Sequence, residues 1–454
     1  MTNPSSTRRR SPGLTRQLAL ALALASGTAI LAVPALTDAA HAQKRDKKKG
    51  KKGEAKPQYS SEFVAAYQPA NEAVMAEGAD INALKPQLAS LATLAASTDE
   101  QAAAGQLILN AGIKSKDSAL QFQGVEMVLA SGKLQPEEVG RYNFVAYQIA
   151  GNLKDYGKAE AYLQRAIDGG FTMEGVSTSD LKLNMAELYF SQDQYQRGLD
   201  YLLETIEARK AAGETIEEAW YRRGIAFGYN NEIVPQVYDF AMGWVSDYPS
   251  SDNWRDAINL TRNLNDFESD PLVDVMRLSR LVGGLRDKKD YVQYVEAADR
   301  GIVGNGALLM PKELKDLIEE AYAKDVIDKG DTYIAETLAS AEKRIAADVA
   351  ELPSFEKDAD APDARLRTVS AAANTFLSYG EWAKAARFYE KSLGMDGVDR
   401  EQALVRLGIA QTNMGEYAAA QATFAKVTGQ RAPIARLWMT YAEQKAAGAA
   451  PTVS

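Results

Sequence analysis

Residues that could carry out chemistry are scarce in this chain of 454 residues. It contains no cysteine and a single histidine, His41. The usual zinc sites, thiol nucleophiles and Ser-His-Asp arrangements each require one of these two residue types. Once the N-terminal segment that holds His41 is cleaved, neither type remains, and the sequence then predicts none of these sites.

Two short motifs resemble catalytic motifs, but the further motif that such enzymes need is missing. Ser179-x-x-Lys182 is followed by Ser-Asp-Asn at positions 251–253, a pair that resembles two serine β-lactamase motifs. The third motif of those enzymes, Lys-Thr-Gly, is missing, and Ser-x-x-Lys occurs twice more in the chain. Adjacent carboxylates are expected by chance among 61 acidic residues. We therefore predict that the protein is not an enzyme and binds no cofactor or metal.

The N-terminus has the three parts of a secretory signal peptide. Four arginines between positions 8 and 16 precede an apolar run over residues 18–36, and Ala40-His41-Ala42 supplies a small-x-small cleavage site. These features predict a signal peptide over residues 1–42, cleavage after Ala42 and a periplasmic location. The alternative is a single membrane anchor, since the run is long enough to span a bilayer, although Pro34 interrupts it.

The next segment, residues 43–58, is basic in an otherwise acidic protein. It holds eight lysines and arginines from Lys44 to Lys56 against two acids, whereas the chain from Gln58 onward has 58 acidic and 40 basic residues. Repulsion among the cations and the scarcity of apolar residues predict a disordered linker. It is a candidate for binding an anionic envelope surface, and the alternative is a solvated spacer. Nucleic acid is not expected as a partner of an exported acidic protein.

From Tyr59 onward the chain has a helical pattern. Apolar residues recur at spacings of three and four, and no stretch is rich enough in strand-forming residues to build a sheet. We predict degenerate helical repeats over residues 59–351 and an acidic, proline-containing linker over 352–365. A C-terminal pair of repeats with a capping helix is predicted over 366–448.

A repeated signature supports this division. It consists of a turn, an aromatic residue, a small residue three positions later and a larger apolar residue four beyond that. The last copy comprises Leu404, Leu407, Gly408, Gln411, Gly415, Glu416, Tyr417, Ala420 and Phe424. The copy 35 residues earlier has Gly380, Glu381, Trp382, Ala385 and Tyr389. Three weaker copies lie upstream, and they contain Asp155-Tyr156, Gln194-Tyr195 and, in the third, Trp220 with Gly224.

This signature resembles the tetratricopeptide repeat, a helix–turn–helix unit of about 34 residues. The resemblance covers roughly residues 140–250 and 366–448, and the signature fades between them. It implies an all-α fold, an α-solenoid of antiparallel helix pairs similar to tetratricopeptide repeats. It also implies a protein–protein interaction scaffold that binds a peptide or protein segment in a concave groove. The alternative is a protein of the bacterial envelope that binds peptidoglycan or polysaccharide.

In this family the first helix of each hairpin lines the groove. The residues that helical spacing places on this face are Arg141, Phe144, Gln148, Leu183, Glu187, Tyr221, Ile225, Ser370, Asn374, Val405 and Ile409. The alternative for each is a place in the core. The family's clamp for peptide C-termini uses lysine, asparagine and arginine side chains. Asn374 and Arg406 match part of that set, and its lysines are missing.

Overall fold

The computed structural model describes residues 58–300 and 310–451. It divides into two compact units, with the boundary between Tyr201 and Leu202. The predicted signal peptide and nearly all of the basic linker lie outside the described residues. No helix in the described parts of the chain combines the length and apolar character needed to cross a membrane.

The first unit is made of helices that pack in sequence order. Their bounds are α1 Ser61–Met75, α2 Ile81–Leu94, α3 Thr98–Ser115, α4 Ser118–Ser131, α5 Pro136–Asn152, α6 Tyr156–Asp168 and α7 Thr178–Phe190. The next helix, α8 Tyr195–Ala211, contains the boundary between the units.

The second unit continues with helices of similar length. Their bounds are α9 Glu218–Asn230, α10 Val234–Asp247, α11 Ser251–Asn263, α12 Ser269–Leu281, α13 Lys288–Arg300, α14 Pro311–Ala323, α15 Thr332–Asp360, α16 Leu366–Ser378, α17 Trp382–Leu393, α18 Arg400–Asn413, α19 Tyr417–Phe424 and α20 Ala432–Ala446. A short 3-10 turn, Gly429–Arg431, precedes α20. Apart from one isolated bridge between Met173 and Val176, residues 58–300 and 310–451 contain no β-structure. The predicted all-α fold is confirmed.

Two glycines set the distance between the helices of their hairpins. An added Cβ on Gly408 of α18 would lie 2.5 Å from the Phe424 ring of α19, and one on Gly224 of α9 would lie 2.4 Å from the Phe240 ring of α10. Only a residue without a side chain leaves room for these rings. The same glycine–phenylalanine contact occurs at the same sequence spacing of 16 residues in both hairpins.

The second unit closes on its own C-terminal end. Helix α20 packs on α19, which precedes it, and also on α10, α11 and α12, which lie far earlier in the chain. One hydrophobic core accordingly extends from Ala241 to Ala442 and includes Trp254 and Trp438. The predicted C-terminal repeat pair and capping helix are therefore part of this unit.

The segment predicted as a linker over residues 352–365 is mostly helical. Helix α15 continues through Pro353 to Asp360. A proline inside a helix removes one backbone hydrogen bond, but packing compensates here. Ala359 is buried in the core, and the Lys391 Nζ caps the end of α15 by donating to the carbonyls of Ala359 and Ala361 at 2.7 and 2.8 Å.

Candidate functional site

Helices α5 and α7 of the first unit carry five of the predicted groove residues. Helix α7 begins with a reciprocal cap between Ser177 and Asp180, and at the start of α5 the Glu138 side chain accepts a hydrogen bond from the Gln135 backbone N–H; such caps satisfy the free N–H groups at a helix start. The helices contribute to one hydrophobic core. That core fixes which side of each helix remains accessible.

On this side, four of the five predicted residues are partly exposed. Arg141 and Gln148 of α5 and Leu183 and Glu187 of α7 are all half-buried. Phe144 is different, because only 3% of it is exposed. It lies beneath the surface and supports the side chains around it.

An aromatic cluster surrounds Phe144. Its ring centroid lies 5.8 Å from that of Tyr147 and 5.6 Å from that of Phe171. Phe171 comes from the connection between α6 and α7, and an added Cβ on Gly140 would lie 2.8 Å from its Cβ. Gly140 therefore lets Phe171 pack directly on α5. Tyr147 and Phe171 are both half-buried, so part of this aromatic surface is accessible.

Glu187 of α7 lies near enough to Tyr147 of α5 to affect its pKa. Burial, together with the nearby Glu187 carboxylate, raises the pKa of Tyr147 to about 12. The phenol is therefore neutral at physiological pH and retains its hydroxyl proton. The half-buried residues of α5 and α7 thus include a tyrosine, an amide and charged groups of both signs.

The predicted groove residues on α9 lie inside the second unit. Tyr221 is 1% exposed, and its hydroxyl donates to Asp247. Burial and that carboxylate raise the pKa of Tyr221. Ile225 is half-buried and packs against the main core of the unit. Tyr221 is therefore buried, whereas Ile225 is partly exposed.

Helix α18 is also an interior helix. Every residue from Ala403 to Thr412 is buried, including the predicted groove residues Val405 and Ile409. The helix is enclosed because α12, α17, α19 and α20 all pack around it. On the neighbouring α16, Ser370 remains half-buried at the surface of its helix.

Asn374 belongs to a buried polar network with internal partners. Its Oδ1 accepts hydrogen bonds from Arg406 Nη1 at 2.8 Å and from the Tyr389 hydroxyl at 2.7 Å. Arg406 is fully buried and is also paired with Asp270 and Asp274. It is therefore not available to bind a peptide carboxylate, although the sequence fragment matched the family's clamp.

The network as a whole is balanced in charge. Asp274 pairs with Arg277, Arg406 and Arg431, and Arg277 also pairs with Glu313 of α14. Three carboxylates, on Asp270, Asp274 and Glu313, thus face three guanidinium groups. Burial alone would raise the pKa of Asp270, but Arg406 and Arg431 lower it to about 2. Burial likewise opposes ionisation of Glu313, and Arg277 lowers its pKa nevertheless.

This network is not apparent from the sequence. Asp270 and Asp274 are one helical turn apart in α12, which is a weak signal of a common face. Their partners Arg406 and Arg431 lie more than 130 residues further along the chain. No local pattern indicates such a contact.

The described residues contain no group of three or more side chains arranged to hold a metal ion. No protein-family model matches the sequence, and no curated protein is significantly similar to it. The class of the protein therefore rests on its fold. It is an all-α protein whose antiparallel helix pairs pack on their chain neighbours, as in an α-solenoid.

Proposed function

We propose that this protein is a non-enzymatic scaffold of the bacterial cell envelope that binds a peptide or protein segment. The observation that carries the proposal is the accessible side of α5 and α7 in the first unit. Arg141, Gln148, Leu183 and Glu187 are half-buried on these two helices, and the Phe144 ring of α5 packs with the rings of Tyr147 and Phe171. Aromatic anchors bordered by polar groups are typical of protein-binding surfaces.

The tetratricopeptide-like signature supports the same proposal, because first helices of such hairpins bind peptides in that family. In the second unit α18 is enclosed and Tyr221 of α9 is buried, so we assign binding to the first unit. The proposed envelope location follows from the signal-peptide pattern of residues 1–42.

Site-specific photocrosslinking tests this proposal. A photoreactive amino acid is placed at Gln148 or Leu183, and the matched control is Gln164, an exposed residue of α6. We expect the first two positions to capture the same envelope protein in cells and the control position not to capture it. If all three positions give the same background, the proposed surface is not a binding site.

The basic segment from Lys44 to Lys56 favours a second candidate, attachment to an anionic polymer of the envelope. Sedimentation with purified cell wall, with and without residues 43–57, tests it. Binding that requires this segment and is weakened by salt supports attachment, because screening acts on exposed charges. Equal recovery of both proteins with the cell wall contradicts it.

A further inference from the structure

Helices α3, α5 and α7 of the first unit end in the same left-handed turn. The turn residues are Lys116, Lys154 and Asp193, with φ of 57°, 60° and 58°. After each of them, the next backbone N–H donates to the carbonyl five residues earlier, at 2.9, 2.9 and 3.0 Å. Turns of this kind close a helix in one defined way. Residues at the same distance before the three turns are therefore at equivalent positions of their helices.

The middle of α3 is accessible only through two amide side chains. Among residues 102–112, Gln106 and Asn110 are half-buried and all the others are buried. The two amides lie one turn apart, and Gln106 Nε2 donates to Asn110 Oδ1 at 3.1 Å. Gln106 Oε1 accepts a hydrogen bond from the Tyr142 hydroxyl of α5 at 3.3 Å. This contact shows that α3 lies beside α5.

Asn110 has equivalents on the two following first helices. It lies six residues before the turn of α3, and Gln148 and Glu187 lie six residues before the turns of α5 and α7. Both are half-buried, and Glu187 is the only residue of 185–190 that is not buried. Burial and the Glu187 carboxylate together raise the pKa of Tyr147 of α5, so α7 lies beside α5 as well. We call Asn110, Gln148 and Glu187 the polar row.

The polar row offers hydrogen-bonding groups that match those of a peptide backbone. A primary amide has two N–H donors and an oxygen acceptor, so one amide side chain can pair with a backbone N–H and a backbone C=O together. Asn110 keeps its donors, because its hydrogen bond with Gln106 uses only the oxygen. No described residue forms a hydrogen bond with the Gln148 side chain. The Glu187 carboxylate accepts from N–H groups.

The same row does not suit a helical partner. An amphipathic helix binds by laying its apolar face in an apolar groove, whereas all three residues of the row are polar. The backbone groups within a helix are also already paired with each other. An extended segment instead presents unpaired N–H and C=O groups along its length. The chemistry of the row therefore favours an extended partner.

We propose that the polar row binds the backbone of an extended peptide segment that crosses α3, α5 and α7. This role rests on the proposed function, adds α3 to the binding surface and specifies the conformation of the bound segment. Packed helices lie about 8–10 Å apart, and an extended chain advances about 3.3 Å per residue. About three residues of the segment therefore span each step from one helix to the next.

Photocrosslinking with mapped attachment sites tests this role. A photoreactive amino acid replaces Asn110, Gln148 or Glu187 in the full chain, and Gln164 of α6 is the control position. Mass spectrometry then identifies the captured residue of the partner. We expect one partner segment, with the attachment sites of Asn110 and Glu187 about six residues apart and that of Gln148 between them. A helical segment, which rises about 1.5 Å per residue, would place them about twelve residues apart.

The outcomes separate this role from the proposed function. Capture at Gln148 with only background at Asn110 would exclude α3 from the surface, and attachment sites about twelve residues apart would exclude an extended segment. Either result overturns the role of the polar row and leaves the proposed function standing. Background at every position would overturn both.

Synthetic peptides of the mapped segment test the backbone hydrogen bonds. Two peptides each carry one N-methyl group, at consecutive N–H groups that map to Gln148, because successive N–H groups of an extended chain point to opposite sides. We expect one of the two to bind the full chain about three- to tenfold more weakly than the unmethylated peptide. A peptide methylated outside the mapped residues is the matched control and should bind unchanged. Unchanged binding of all three would overturn the proposal.

Discussion

At the scale of single residues, Glu100 shows how one carboxylate joins distant parts of the first unit. It is 2% exposed and accepts four hydrogen bonds at 2.7–3.0 Å, from the backbone N–H and hydroxyl of Ser60 and from the backbone N–H groups of Ala96 and Ser97. The starts of α1 and α3 are therefore held together by a single side chain. Burial would raise the pKa of Glu100, but these hydrogen bonds lower it to about 2.

This low pKa predicts a specific loss of stability in acid. A carboxylate whose pKa is lower in the folded chain than in the unfolded chain stabilises the fold above the unfolded-state value, near 4.5, and loses that contribution as the pH falls toward 2. Glu100→Gln should lower the free energy of unfolding by about 1.5–3 kcal/mol at neutral pH. The difference from the unaltered protein should shrink below pH 4.5.

Urea unfolding of both proteins at neutral and acidic pH measures this difference. Glu62→Gln, at an exposed position in the first turn of α1, is the matched control and should change stability little. A Glu100→Gln protein as stable as the control at neutral pH would show that the hydrogen bonds to Glu100 do not hold α1 and α3 together.

Two helical glycines provide a matched pair of substitutions. Gly408→Ala places a methyl group against the Phe424 ring, and overpacking of this kind costs about 1–3 kcal/mol. Gly151 of α5 has no atom within 4 Å of an added Cβ, so Gly151→Ala should be neutral or stabilise the helix by up to about 1 kcal/mol. Thermal unfolding of the two variants gives the comparison. Equal effects would contradict the close approach at Gly408.

At the scale of elements, the sequence predicts helices and hairpins well because their signals are local. The three- and four-residue periodicity and the repeated signature place α16 to α20 close to their observed positions. The linker prediction at Pro353 was wrong because tertiary packing outweighs the local cost of proline in α15. The groove could be predicted only in part. Helical spacing identifies the face of each helix, but it does not indicate which other helices cover that face.

The buried ionic network lies where α18 is enclosed by its neighbouring helices. Losing the network should lower the free energy of unfolding. Arg406→Met leaves Asp270 and Asp274 buried with fewer positive partners, which should cost about 3–5 kcal/mol. Arg387→Met on α17 is the matched control. Its guanidinium pairs with Glu356 and Asp360 at the surface, where such pairs contribute at most about 1 kcal/mol.

Chemical denaturation distinguishes the two substitutions. We expect a much larger loss of unfolding free energy for Arg406→Met than for Arg387→Met. Similar small losses of unfolding free energy would mean that water reaches the network. An unpaired carboxylate in contact with water destabilises the fold little.

At the scale of the whole molecule, the two units differ in what they can offer to a partner. The first unit keeps a partly exposed face on α5 and α7, which the sequence signature helped to locate. The second unit closes through α20, and no sequence pattern predicts that closure because its contacts join residues up to 199 positions apart. Val405 and Ile409 illustrate the consequence, since their helical positions fit a groove while the closure buries them.

Chemical crosslinking tests whether the second unit is closed. Because the chain has no cysteine, Asp239→Cys and Arg436→Cys introduce the only two thiols, at positions whose side chains form an ion pair. A short bifunctional thiol reagent should link them rapidly within one molecule, and the two single-cysteine variants control for links between molecules. Efficient intramolecular crosslinking is the predicted result. Its absence, with both thiols reactive toward a monofunctional reagent, would show an open second unit and contradict the account.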